Sequence, residues 1–156
     1  MADHIIKQIL DTVKTTLTGL TTTGSNVFRA RSLSVNDSNL PAILISMGDR
    51  ETDTENLAGL SGGGLGEMWE IGINVQALAK NTNSETTENT LLQISKEIEV
   101  AIFADKTLGG LAKDLRVESV AESEFDGEGE KTVAGLDIQL VVKYRIKQGV
   151  PDAAIN

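Results

Sequence analysis

The stretch Trp69-Glu-Ile-Gly-Ile-Asn-Val-Gln-Ala-Leu-Ala79 decides the fold class. Trp69, Ile71, Ile73, Val75, Ala77 and Ala79 fall on one side of an extended chain, and Glu70, Gly72, Asn74 and Gln76 on the other. A period of two predicts a strand with one buried face and one wet face. Ile138, Leu140, Val142, Tyr144 and Ile146 repeat the pattern against Gln139, Lys143 and Arg145. Strands of this kind need a covering layer on one face only.

Two helical patterns supply that layer. Residues 3–20 carry Ile5, Ile6, Ile9, Leu10, Val13, Leu17 and Leu20, one apolar stripe at helical spacing. Asp3 is expected in the first turn, at the positive end of the helix dipole. Lys7 and Lys14 face away, and Gly19 and Gly24 supply the stop. Thr82 and Glu85 have capping-box spacing for a second helix over 84–104. Its stripe is Leu91, Ile94, Ile98, Ala101 and Ile102, and Gly109-Gly110 ensures its end.

The weaker segments fill in around these. Val27-Phe-Arg-Ala-Arg31 suits a short edge strand, and Pro41 opens a strand through Ile43, Ile45 and Met47. Residues 48–66 read as a mobile loop, with acids first and then Ser61-Gly-Gly-Gly-Leu-Gly66. Residues 113–124 suit a partly exposed strand, and 122–130 an acidic turn. Runs of strands joined by turns favour an α+β domain: a mostly antiparallel or mixed β-sheet with both helices packed on one face. The expectation is one domain over 1–150 with a flexible tail over 151–156.

Composition narrows the function. Apolar residues make up 40% of the 156, enough for a packed core. Aromatics are 3%, too few for a stacking platform for single-stranded nucleic acid. Acids outnumber bases 23 to 14, for a net charge of −9, which disfavours grip on phosphate backbones or anionic membranes. Without cysteine there are no disulfides, thiolate metal sites or thiol nucleophiles. The sequence has no apolar run of membrane-spanning length, and its first residues do not read as a signal peptide.

The search for catalytic equipment finds little. His4 is the single imidazole, at the start of a helix, and no G-x-S-x-G exists. The glycine run fits neither G-x-x-x-x-G-K-[ST] nor G-x-G-x-x-G. Asp49, Glu51, Asp53 and Glu55 alternate, as do Glu122, Glu124, Asp126, Glu128 and Glu130. Such series could share a hard divalent cation, and a two-carboxylate nuclease or glycosidase is the enzyme reading. The EF-hand pattern fails in both, and solvated surface is the simpler reading. No cofactor is expected. Lys143, Arg145 and Lys147 alternate on the outward face of the last expected strand and could pair with the acidic series of a neighbouring copy.

From about Arg29 to Tyr144 the arrangement resembles the tail terminator (tail completion) proteins of long-tailed bacteriophages. The resemblance runs through the Arg-containing strand, Pro41-Ala-Ile-Leu-Ile45, the acidic glycine-bearing loop, the strand Trp69–Ala79 and the helix 84–104. Asp105-Lys-Thr-Leu-Gly-Gly-Leu111 directly after that helix is its most telling piece, and Val142-Lys-Tyr-Arg145 ends it. The resemblance implies a non-enzymatic subunit of a homohexameric ring. The ring would cap the tail tube protein, stop its polymerisation and dock a head-side connector or stopper protein. DNA would pass its lumen without specific binding, and no membrane is involved. The setting implied is the virion, in the tail or neck, with assembly in the host cytoplasm. Another neck or head–tail connector component, a small binding module and a divalent-metal carboxylate enzyme are the alternatives. The residues expected to make contacts are Asp49, Glu51, Asp53, Leu60, Leu65, Glu124, Asp126, Glu128, Lys143 and Arg145.

Overall fold

A computed structural model describes residues 2–29, 37–59, 63–81, 83–125 and 132–155, with the side chains of 37, 53–58, 84, 124, 125 and 132 left aside. Helix α1 spans Ile5–Leu17, strand β1 Val27–Arg29, β2 Ala42–Gly59 and β3 Leu65–Asn81. Helix α2 spans Ser84–Phe103, followed by β4 Asp114–Phe125, β5 Thr132–Lys147 and β6 Val150–Ala154. The fold is α+β, as the alternation implied. The sheet runs β1-β2-β3-β5-β4, with β6 also on β5. It is mixed, because β1 lies parallel to β2 and the other pairings are antiparallel.

The core lies between one face of the sheet and the helices. Ile5, Ile9, Leu10, Val13 and Leu17 of α1 meet Leu91, Ile94, Ile98 and Ile102 of α2 over Ile43, Ile45, Ile71, Ile73, Val75, Ile138, Leu140 and Val142. These are the residues that the two periodicities select. Burial of each such aliphatic side chain is worth ~1.5–3 kcal/mol, so the stripes dominate the stability of this layer.

Helix starts differ slightly from expectation. Asp3 precedes the first turn of α1, where it pairs with Lys7 at 2.6 Å, and His4 is the N-cap, with Nδ1 accepting from Ile6 N at 3.1 Å. In α2 the cap is Asn83, one residue after Thr82, and its Oδ1 accepts from Glu85 N and Thr86 N at 2.9 and 3.3 Å. An asparagine beside a threonine competes for the same orphan amides, and asparagine is at least as good there.

The loop expected over 48–66 is instead mostly strand. β2 continues to Gly59 and β3 begins at Leu65, with Ala58 opposite Gly66 and Gly59 opposite Leu65. Acids alternating with threonines carry the strand period without its apolar half, and the long partner β3 supplies their ladder. Strand β6, Val150–Ala154, takes in residues 151–154 of the tail expected to be loose. Its Asp152 carbonyl accepts from Gln8 Nε2 at 2.8 Å, tying the chain end to α1.

A bulge between Met47 and Arg50 changes which side chains face the helices. Met47 lies opposite Ile73 and Arg50 opposite Ile71, so two residues, Gly48 and Asp49, stand against Gly72. Before the bulge the helix side takes Ile43 and Ile45. After it, Arg50 takes that side, and Asp49 and Glu51 line the open face.

Candidate functional site

Among the described residues no element covers the sheet face away from the helices, and the registers order that face in rows. Leu44, Gln76, Asp137 and Ala121 form one row, and Ser46, Asn74, Gln139 and Ser119 the next. Gly72, Val141 and Arg116 follow, and then Glu51, Glu70, Lys143 and Asp114. The Ser46 row is therefore built of amides and hydroxyls and the Glu51 row of charges. Gln76 Nε2 donates to Asp137 Oδ1 at 2.7 Å across the first row.

The charged end holds a groove of about 210 Å³ over the side-chain-free Gly72, lined by Asp49, Glu51, Glu70, Arg116 and Glu118. Arg116 Nη1 and Nη2 bind Glu70 Oε1 and Oε2 at 3.2 and 3.3 Å, a fork-to-carboxylate pair. Lys106 bonds Asp114 at 2.7 Å and, with backbone donation from Leu115, holds that carboxyl below the usual aspartate range. Lys143 stands in register between Glu70 and Asp114, so charge alternates from Arg116 to Lys106. Among the described residues no three of His, Cys, Asp and Glu come together as metal ligands.

The expected contact residues divide accordingly. Asp49 and Glu51 line the groove. Asp53 pairs through its backbone with Met68, and Glu124 with Ala134. Leu65 is 45% exposed at the start of β3. Leu60, Asp126 and Glu128 lie outside the described residues. Lys143 and Arg145 do face outward, but β5 is an interior strand between β3 and β4, and β6 follows it. Lys143 meets its opposite charges in register, Glu70 and Asp114, on its own chain, whereas Arg145 stands opposite Met68. Arg145 packs against Gly66, where an added Cβ would stand 2.7 Å from its Nε.

A second cluster was not foreseen. On the helix side of the sheet, Arg50 lies over Trp69, 3.8 Å from the ring centroid, and its Nε donates to Tyr144 Oη at 2.7 Å. Length explains the need for it. The 20 residues of α2 reach ~30 Å, whereas the 17 of β3 extend ~56 Å. The Trp69 end of the strand outruns the helix that starts beside Asn81, and Arg50 covers it. The sequence signal was a single base in an acidic series, placed inward by a bulge that periodicity does not announce.

The turn after α2 is also ordered by one side chain. Asp105 Oδ1 accepts from Thr107 N and Oγ1 at 2.9 and 2.6 Å, and Oδ2 from Gly109 N at 2.7 Å. Between them Leu108, at φ 50°, drops its side chain into the core.

No protein-family model and no curated protein matches the chain. Among solved structures, one chain of the "Virion of native gene transfer agent (GTA) particle" is 12% identical, with a TM-score of 0.32 over 90% of this chain and 92% of that one. That likeness is too loose to define the fold. No helix among the described residues is long and apolar enough to cross a membrane.

Proposed function

We propose that the chain is a structural subunit of a phage-type virion, a ring-forming tail terminator that caps a tail tube protein and presents a docking surface to a head-side connector or stopper. The observation that carries this reading is the passage from α2 through Asp105–Leu111 into β4, the segment in which the sequence most resembles that family. Asp105 and Leu108 give its residues a definite task, since the carboxylate orders the turn and the leucine anchors it. The wide open face suits contact between subunits or a wet lumen. Its acids, on a chain of charge −9, would not retain passing DNA.

A divalent-metal carboxylate enzyme is the competing reading, and the Asp49–Glu51–Glu70–Glu118 groove is where it would act. The Arg116 fork on Glu70 counts against it, because a guanidinium occupies the carboxylate that a cation would need.

Negative-stain imaging and native mass decide between the readings. A six-fold ring of about 100 kDa, from subunits of 16.6 kDa, is expected, since head-to-tail contacts that close generate rings. Divalent-dependent nuclease or glycosidase turnover abolished by Asp49→Asn would overturn the structural role.

A further inference from the structure

Helix α2 carries a strip that its own chain leaves uncovered. Leu92 is 53% exposed and Phe103 41%, and Lys96 and Glu99 between them are exposed too. The four fall at i, i+4, i+7 and i+11, the 4-3-4 spacing of a coiled-coil seam, over ~17 Å of helix. The strip is not the core stripe, which is Leu91, Ile94, Ile98 and Ile102. Nor is it the flank turned to the α1–β1 connection, which Glu97 marks by accepting from Thr22 N and Oγ1 at 3.1 and 2.8 Å.

The order of the strip is apolar, positive, negative, apolar. That order is self-complementary when read in reverse. With a two-fold axis level with the Glu97–Ile98 peptide, an antiparallel second helix sets Leu92 against Phe103 of the other copy. The same operation sets Lys96 against Glu99 of the other copy, and symmetry repeats both layers. A parallel pair would instead oppose Lys96 to Lys96. Ser95 Oγ donates to Glu99 Oε1 at 3.3 Å. Lys106 Nζ, 5.9 Å from the Phe103 ring centroid, closes one end of the strip.

We propose that this strip is a docking surface for a second copy of the chain, through isologous antiparallel pairing of α2 with α2. The occupant follows from charge complementarity and from the fit of the strip to its own reverse. Other exposed strands serve a second copy poorly: β2 and β4 carry Asp49, Glu51, Asp114, Glu118 and Glu122, so pairing them would oppose acids to acids. A two-fold contact closes on itself and stops at two. It does not depend on the ring. It provides a way for subunits to pair before they are incorporated or for two rings to meet face to face.

The test is sedimentation equilibrium on the full chain, with circular dichroism to confirm that each variant folds. The wild type is expected to contain a dimer, or a multiple of it. Lys96→Glu places two glutamates in each central layer and should weaken the pairing about tenfold or more, whereas Lys96→Glu/Glu99→Lys restores the layers in reverse and should recover it. Leu92→Ser should weaken it without altering the fold. A wild type that stays monomeric at the highest soluble concentration overturns the proposal. So does an oligomer indifferent to Lys96→Glu. A hexamer that behaves in that indifferent way would support the ring and overturn the pairing, and a dimer sensitive to the swap with no hexamer would do the reverse.

Discussion

The Arg50 guanidinium stacks on the Trp69 ring at 3.8 Å, on the helix side of a sheet that runs on past its helix. Arginine serves there because its planar group covers an aromatic face while Nε still reaches Tyr144 Oη. The stack and the charge-assisted bond together are worth about 2 kcal/mol. Arg50→Ala should therefore lower unfolding stability by about that amount in urea titration and shift Trp69 fluorescence in the native state. Arg50→Lys keeps the charge and should recover less than half of the loss. A change within ~0.5 kcal/mol for Arg50→Ala would show that the stack is ornamental.

Tyr144 gives the same cluster an alkaline signature. Burial raises its pKa above the ordinary 10.0, and the Arg50 charge and hydrogen bond offset this only in part. In the unfolded chain the phenol loses its proton near pH 10, while in the folded chain it keeps it to higher pH. The folded state then binds more protons, so stability is full below pH 10 and is lost as pH rises toward the folded value. Comparing wild type with Tyr144→Phe isolates the effect. The tyrosine form should lose more stability than the phenylalanine form between neutral and strongly alkaline pH, and parallel curves would contradict the assignment.

The bulge makes a steric prediction. An alanine Cβ at Gly48 would stand 3.1 Å from the Gly72 carbonyl oxygen, and backbone cannot step aside cheaply. At Gly72 the nearest atom is the Asp49 carbonyl oxygen at 3.6 Å, an ordinary contact. Gly48→Ala should cost about 1–3 kcal/mol, and Gly72→Ala clearly less. Equal costs at the two positions in thermal unfolding would mean that the crowding at Gly48 is relieved elsewhere.

Much of this architecture was legible in the residues. The core stripes of α1, α2, β3 and β5 are periodic, and periodicity reports burial directly. What escaped was set by partners rather than by pattern. The acidic half of β2 is a strand because β3 is long enough to pair with it, although nothing apolar marks it. Arg50 faces the helix side because a bulge shifts the alternation. Lys143 and Arg145 alternate outward as expected, yet strand order, which no local pattern encodes, puts β5 inside the sheet. The groove over Gly72 draws on β2, β3, β4 and β5, and its assembly is a property of register.

Asp105 is expected to act through its charge. Its carboxyl lies below the ordinary 3.8 because the Thr107 hydroxyl and the Gly109 and Thr107 amides all donate to it. A depressed pKa adds stability above the unfolded value, and that stability is lost as pH falls through 3.8 and below. Wild type should therefore be more stable than Asp105→Asn near neutrality, and the gap should narrow as the pH drops below 4. A gap that stays constant in thermal melts down to that pH would assign the turn to its glycines and to Leu108 alone.

Lys143 tests whether the basic series serves the fold or an assembly. It lies in register between Glu70 and Asp114, with Glu51 beyond Glu70, so Lys143→Glu would place four acids in adjacent strands of one row. Like charges directly opposed across strands cost up to ~1 kcal/mol, and the variant should unfold earlier by about that much. The exchange Lys143→Glu/Glu70→Lys restores opposite charges between positions 70 and 143, but it leaves the new carboxylate against Asp114 and sets the new ammonium against Arg116, so it should recover only part of the deficit. Both effects should fade as salt rises, because these groups are partly exposed. If the row serves only the subunit, native mass stays the same in every variant while stability changes. If Lys143 instead bridges to the acids of a neighbouring copy, Lys143→Glu shifts the mass at low salt and the Glu70→Lys exchange fails to bring it back. Mass and stability therefore separate the two roles in one set of proteins.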